Sequence, residues 1–298
     1  MDEHAEMVAL LNDWLLDLRG QHKSPNTLKR YGNGVRAFLR WAEQSGTAPV
    51  LDRRTVAAFL ADLIGGGQES STVHAQQSAV RRFSAWLADE GEISQDLLLG
   101  MKPIKVDEKV VPELTEDEAR ALIAACKGKT FMDRRDEAII RFMLETMARA
   151  SECADMRLDE TDVYAGSAVI RRGKGGKGRR VPFGPQTGAA ISRYLRMRRA
   201  QPRAAEPQLW LGVGNRGFAY FGLYRTLKKR AEIASLEQFN PHILRHTGAG
   251  RWLDKGGTEG GLMAVAGWSR REMIDRYVRS TSERRAAEEA RKLNLGDL

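Results

Sequence analysis

The segment from Pro241 to Tyr277 gathers side chains suited to work on a phosphate. It reads PHILRHTGAG, passes a glycine-bounded break at Lys255-Gly256-Gly257, and resumes as AGWSRREMIDRY. His242 and Arg245 stand three residues apart, so on a helix both point the same way. Trp268 falls at the mouth of a further helix, and Tyr277 lies nine residues after it. Arginine offers a planar fork to phosphate oxygens, histidine donates or relays a proton, an indole donates one N–H, and a phenol can act as a nucleophile. Taken singly these are ordinary residues. HxxR on a helix is commonly a surface ion partner, and a lone tyrosine is commonly packing.

Two upstream elements add weight. Arg149 sits where a helix predicted over 133–147 ends, with Ser151-Glu152 placed to cap the next one. Residues 167–183 then leave the helical pattern. Ala168–Arg171 and Arg179–Pro182 read as two strands of a hairpin around Gly173–Gly178, whose tip carries Lys174 and Lys177. This loop is no phosphate-binding P-loop, because Arg179 stands where that motif needs lysine, with no Ser or Thr after it. Gly212, Gly214 and Gly217 spell a literal GxGxxG, but no strand–helix unit surrounds them, so they read as a packed turn.

These groups need a scaffold. Apolar residues recur at helical spacing over 5–20, from Ser24 to Trp41, over 55–64 and over 70–87. This predicts a four-helix unit spanning 1–99, with Trp14, Phe38, Trp41, Phe83 and Trp86 in its core. Lys23, Lys29, Arg30, Arg81 and Arg82 are its candidate backbone-phosphate contacts. Residues 100–112 have no helical period and two prolines, and read as a linker. A second domain then runs over 113–298. It opens on a capping box from Thr115 to Glu118 and contains predicted helices over 187–199, 220–234 and 284–295.

At 298 residues the chain has room for two domains. Its net charge is +9, and the excess is uneven. Residues 1–100 hold 10 Lys/Arg against 13 Asp/Glu, and the remainder holds 38 against 26, so the second part carries +12. A polyanionic partner is implied. No apolar run is long enough for a membrane span, and the acidic start MDEHAEMVALL is no cationic leader. Cys126 and Cys153 form no metal spacing and read as free thiols in a reducing compartment. Asp155, Asp159 and Asp162 read as helix and turn residues, so no metal site and no cofactor are expected.

The order Arg149, hairpin lysine, HxxR and Trp–x8–Tyr resembles the tyrosine recombinase (phage integrase) family over nearly the whole chain. The resemblance implies a mainly α fold, with a helical, SAM-like core-binding domain and a mostly α catalytic domain holding a small β-hairpin or sheet. The chain resembles the simple type, without an arm-binding domain. Arg149 falls on the first arginine, Lys174 on the lysine (Lys177 remains the alternative), His242 and Arg245 on HxxR, and Tyr277 on the nucleophile. Trp268 falls where most members have histidine and some have tryptophan. Met147-Ala148 departs from the usual Gly-Leu before the first arginine.

Implied with the resemblance is strand cleavage through a 3′-phosphotyrosyl link that leaves a free 5′ hydroxyl and needs no ATP. Arg149 and Arg245 would neutralise the non-bridging oxygens, and His242 would hydrogen-bond the phosphate and assist proton transfer. Lys174 would protonate the leaving oxygen, and Trp268 would position or contact an oxygen. The implied partners are double-stranded DNA core sites and further copies of the chain, forming a tetramer on paired sites. An accessory protein could set direction, and no membrane is involved. The C-terminal helix would dock in cis or on a neighbouring subunit. The implied setting is the bacterial cytoplasm and nucleoid, for integration or excision of a phage or mobile element. A type IB topoisomerase and a catalytically silent DNA-binding regulator are the alternatives.

Overall fold

Four amphipathic helices build the N-terminal part: α1 (Glu3–Gly20), α2 (Pro25–Ser45), α3 (Arg53–Gly65) and α4 (Ser70–Asp89). Local chemistry sets their ends. Ser24 accepts the Thr27 N–H and Pro25 fills the first turn of α2, where no amide partner is needed. Asp52 caps α3 in the same way through the Thr55 N–H. Gly34 lets α2 and α4 approach closely, since a Cβ there would stand 2.6 Å from the Cβ of Ala79. Trp14, Phe38 and Phe83 are buried as expected, whereas Trp41 and Trp86 pack partly exposed on the same cluster. Trp41 gives its indole N–H to Asp62 at 2.7 Å.

The structure is a computed structural model and describes residues 3–107, 112–171 and 178–275, together with 286, 290 and 291. Contacts divide the chain into two units, Met1–Lys109 and Val110–Leu298, each with its own apolar cluster. The stretch read as a linker is tied down in its first half. Gln77 on α4 donates to the Lys102 carbonyl at 2.9 Å and accepts the Ile104 N–H at 2.7 Å.

The C-terminal unit is again mainly helical around a small sheet. Its elements are α5 (Glu116–Ala124), α6 (Phe131–Thr146), α7 (Ala150–Ala154), β1 (Thr161–Asp162), β2 (Ser167–Ile170), β3 (Arg179–Pro182), α8 (Pro185–Arg198), α9 (Tyr220–Ile233), α10 (His242–Asp254) and α11 (Glu259–Ala266). The antiparallel sheet has the order β1-β2-β3, with Ala168 opposite Val181 and Val169 opposite Arg180. Both Thr115–Glu118 and Thr130–Asp133 form reciprocal capping boxes. The glycines at 212–217 form a turn: Gly214 has φ +61°, and the Arg216 carbonyl fills the space a Cβ at Gly212 would need.

The helix α6 is buried along most of its length and packs against α8 and α10. Gly248 allows the α10 contact. A Cβ there would collide with the Leu144 carbonyl and stand 2.8 Å from Met147 Cγ. Local propensity does not predict α11, because Gly260 and Gly261 weaken it. It forms because Thr258 caps it through the Gly261 N–H at 3.1 Å and because Leu262, Val265 and Ala266 pack into the core. Residues 284–295, read as a final helix, fall almost wholly outside the described residues.

Candidate active site

The end of α6 sets the first part of the site. Met147 follows it with φ +54° and ψ +26°, a left-handed conformation that usually falls to glycine. The chain thereby turns and extends through Arg149 (φ −66°, ψ 150°) into α7. Arg149, rather than Ser151, holds the cap position. Its N–H donates to Glu152 Oε2 at 2.9 Å, and its Nη1 donates to Glu152 Oε1 at 2.7 Å.

Glu152 is 6% exposed and serves a second arginine. Arg179 on β3 donates to both of its oxygens, at 3.2 and 2.8 Å. Burial alone would raise the Glu152 pKa. The hydrogen bonds from Arg179 and Arg149 outweigh it and hold the carboxyl below its usual range. From sequence Glu152 is a cap residue three on from Arg149 and Arg179 is only a strand residue. Nothing in local spacing marks a pair 27 residues apart.

Arg245 lies one turn into α10 and is 2% exposed. Its Nη1 donates to the Met147 carbonyl and its Nη2 to the Ala266 carbonyl at 2.7 Å. Thus the ends of α6 and α11 both grip one guanidinium. Trp268 backs it, with the guanidinium carbon 5.1 Å from the ring centroid. Trp268 is placed by the end of α11. Gly267 takes φ +66°, and the Trp268 N–H returns to the Met263 carbonyl at 3.0 Å.

His242 opens α10 at the surface with its ring partly covered by neighbours, and its backbone N–H donates to Asn240 Oδ1 at 2.9 Å. Its ring stands at 89° to that of His246, with centroids 4.4 Å apart. Desolvation of the ring, then the charges of Arg245 and Arg149, push its pKa below the usual value of 6.5. Arg245 follows His242 by one turn, stacks near Trp268 and is held by Met147, two residues before Arg149, so the structure gathers these side chains at the start of α10. Two cations beside a largely neutral imidazole suit an oxyanion whose charge builds during a reaction. Lys174, Lys177 and Tyr277 lie outside the described residues.

The neighbouring carboxylates have other tasks. Asp155 ends α7, Asp159 pairs with Arg157 at 3.1 Å, and Asp162 accepts the N–H groups of Tyr164 and Ala165. Both cysteines are buried free thiols.

The comparisons with known proteins agree over both units. The sequence model described as Phage integrase family matches residues 112–284, and that described as Phage integrase, N-terminal SAM-like domain, matches residues 11–91. Tyrosine recombinase XerC of Thermodesulfovibrio yellowstonii is 30% identical over 241 residues, covering 78% of each chain. Tyrosine recombinase XerD of Corynebacterium glutamicum is 31% identical over 261 residues, covering 83% of this chain and 85% of its own. Among solved structures, XerH site-specific recombinase bound to palindromic difH substrate, in a post-cleavage complex, aligns with a TM-score of 0.74 at 18% identity. It covers 88% of this chain and 79% of that one. A lambda integrase (75-356) dimer bound to a COC′ core site aligns with a TM-score of 0.70 at 14% identity, covering 90% and 94%. With a family match over more than half its length and relatives at this identity, the chain belongs to the phage integrase family, the tyrosine recombinases.

Proposed function

We propose that this recombinase cuts and rejoins double-stranded DNA at core-type sites through a 3′-phosphotyrosyl intermediate formed by Tyr277. The observation that carries the reading is Arg245, one turn after His242 on α10, immobilised by Trp268 and by two carbonyls, one of which belongs to Met147 two residues before Arg149. A tyrosine phenol has a pKa of about 10 and is mostly un-ionised at neutral pH, so attack on phosphorus needs help.

In the proposed step the Tyr277 oxygen bonds to phosphorus and its proton passes towards His242, whose charged form is disfavoured first by desolvation and then by the two arginines. The guanidiniums of Arg149 and Arg245 hold the two non-bridging oxygens as charge accumulates. The bond to the 5′ oxygen breaks, and Lys174 supplies the proton that makes it a hydroxyl. Lys177 is the alternative donor. Attack by a 5′ hydroxyl on the phosphotyrosine reverses the sequence, so no outside energy source enters. Trp268 has one N–H and no acceptor, and it contributes position rather than proton transfer. Paired sites held by a tetramer, and integration or excision of a phage or mobile element, complete the reading. The solved lambda integrase tetramer bound to a Holliday junction, similar to this chain in fold, is compatible with such an assembly.

The test is a trapping assay on a nicked duplex of the DNA flanking the gene, with a supercoiled plasmid in parallel. The expected result is an SDS-resistant adduct that disappears in Tyr277→Phe. Protein that binds DNA yet gives neither adduct nor plasmid relaxation would overturn the reading, as would an adduct that survives the substitution.

A further inference from the structure

One side chain from the sheet reaches behind the candidate site and touches three elements of it. Arg179 is the first residue of β3, and its side chain is 11% exposed. Its Nε donates to the Val265 carbonyl of α11 at 2.8 Å, and its two terminal nitrogens take both oxygens of Glu152. Glu152 in turn holds Arg149 by its backbone N–H and its Nη1. The same guanidinium occupies the space beside Gly267, where a Cβ would stand 2.9 Å from Nη1 and 3.0 Å from Cδ. Gly267 is the turn that presents Trp268 to Arg245. A planar fork serves this role because it satisfies a carboxylate with two parallel bonds while a third nitrogen reaches a carbonyl. A lysine ammonium has no such geometry.

We propose that Arg179 is a positioning residue for strand transfer: through Glu152 it fixes Arg149 on the scissile phosphate, and through Val265 and Gly267 it fixes the turn beneath Arg245. The inference rests on the proposed function, since it takes Arg149 to act on phosphate. Arg179 itself faces a buried carboxylate and a carbonyl, and acts through Arg149.

The test uses the full chain with Arg179→Met, which keeps length and loses every donor, and with Arg179→Lys. Single-turnover adduct formation is measured on nicked DNA carrying either a normal phosphate or a neutral methylphosphonate at the scissile position. The methylphosphonate lacks one non-bridging charge, so it asks less of a guanidinium. Expected is normal DNA affinity with an adduct rate lowered about 10- to 100-fold on phosphate, the scale of a misplaced catalytic group. The deficit should shrink on methylphosphonate, as it should for Arg149→Ala, and Arg179→Lys should not restore the rate. Arg179→Met added to Arg149→Ala should cost little more than Arg149→Ala alone.

A wild-type rate in folded Arg179→Met would overturn the proposal. So would an equal deficit on both substrates, which is what a merely structural loss produces. If Arg179→Met does not fold, Glu152→Gln weakens the same link from its other side and is read by the same ratio. Failure of both variants to fold would assign the pair to folding and overturn the proposal. Absence of wild-type cleavage would refute the proposed function, whereas a cleaving wild type with an unaffected Arg179→Met refutes only this inference.

Discussion

Replacing Met147 by glycine should weaken the C-terminal unit, even though glycine suits the backbone there. Two terms oppose each other. The left-handed conformation at φ +54° costs an L-residue about 1–2 kcal/mol, which glycine recovers. Glycine gives back roughly 0.5–1 kcal/mol of that through its greater freedom in the unfolded chain. Against this small gain stands a methionine side chain with no exposed surface, touching the Gly248 contact between α6 and α10. Truncating a buried methionine costs about 2–5 kcal/mol, so the loss of packing wins. The net effect is a destabilisation of about 0.5–5 kcal/mol.

Met147→Ala separates the terms, because alanine loses most of the packing and keeps the strain. Its stability should be no higher than that of Met147→Gly, which reverses the advantage of about 0.5–1 kcal/mol that alanine holds over glycine within a helix. Both units contain tryptophans, so the assay is hydrogen exchange of the buried α6 amides across a urea series. A glycine variant as stable as the wild type would refute the packing argument. An alanine variant clearly above the glycine variant would refute the strain argument.

Other outcomes follow from the same contacts. Gly248→Ala drives a methyl group into the Leu144 carbonyl, so α10 must lift from α6 at a cost of about 1–3 kcal/mol. Adduct yield should fall with it, because Arg245 leaves the Met147 carbonyl. The folded chain disfavours the charged form of His242, so the unfolded chain binds that proton first, near pH 6.5. Stability should therefore decline as pH falls from 6.5 through the lower folded value, and His242→Gln should flatten that limb of the urea-midpoint profile. An unchanged slope would count against the assignment. Burial pushes the Cys126 thiol up to about 12 and the Cys153 thiol higher still, so neither should react with Ellman's reagent until urea unfolds the chain.

Much of this architecture is written in local pattern. The apolar stripes of α2, α4 and α6 and the Thr115–Glu118 box are short-range signals, and so are the strand residues flanking a glycine-rich turn. HxxR places two side chains one turn apart, and the structure keeps that relation at the start of α10. What local pattern hides is long-range. The helix α11 has two glycines near its start and forms through a threonine cap and burial supplied by the rest of the unit. Arg179 looks like any strand arginine until folding carries it to Glu152. Met147 gives no sign in its own chemistry that it will take a glycine conformation; only the family's usual glycine at this place pointed to it. The requirement comes from the turn between α6 and Arg149, which must reverse within two residues.

The anchoring of Arg245 by carbonyls rather than by acidic side chains bears on how the site can change over generations. Every amino acid brings the same carbonyl, so those exchanges at 147 and 266 that the buried packing accepts leave both acceptors in place. Insertion or deletion is another matter. One residue gained or lost between Leu144 and Arg149 would displace an acceptor by up to about 3.8 Å, more than the length of the bond it makes. Such a site fixes its count of residues more strictly than its letters, and libraries built around it should vary identity within what the buried, left-handed position 147 accepts and length not at all.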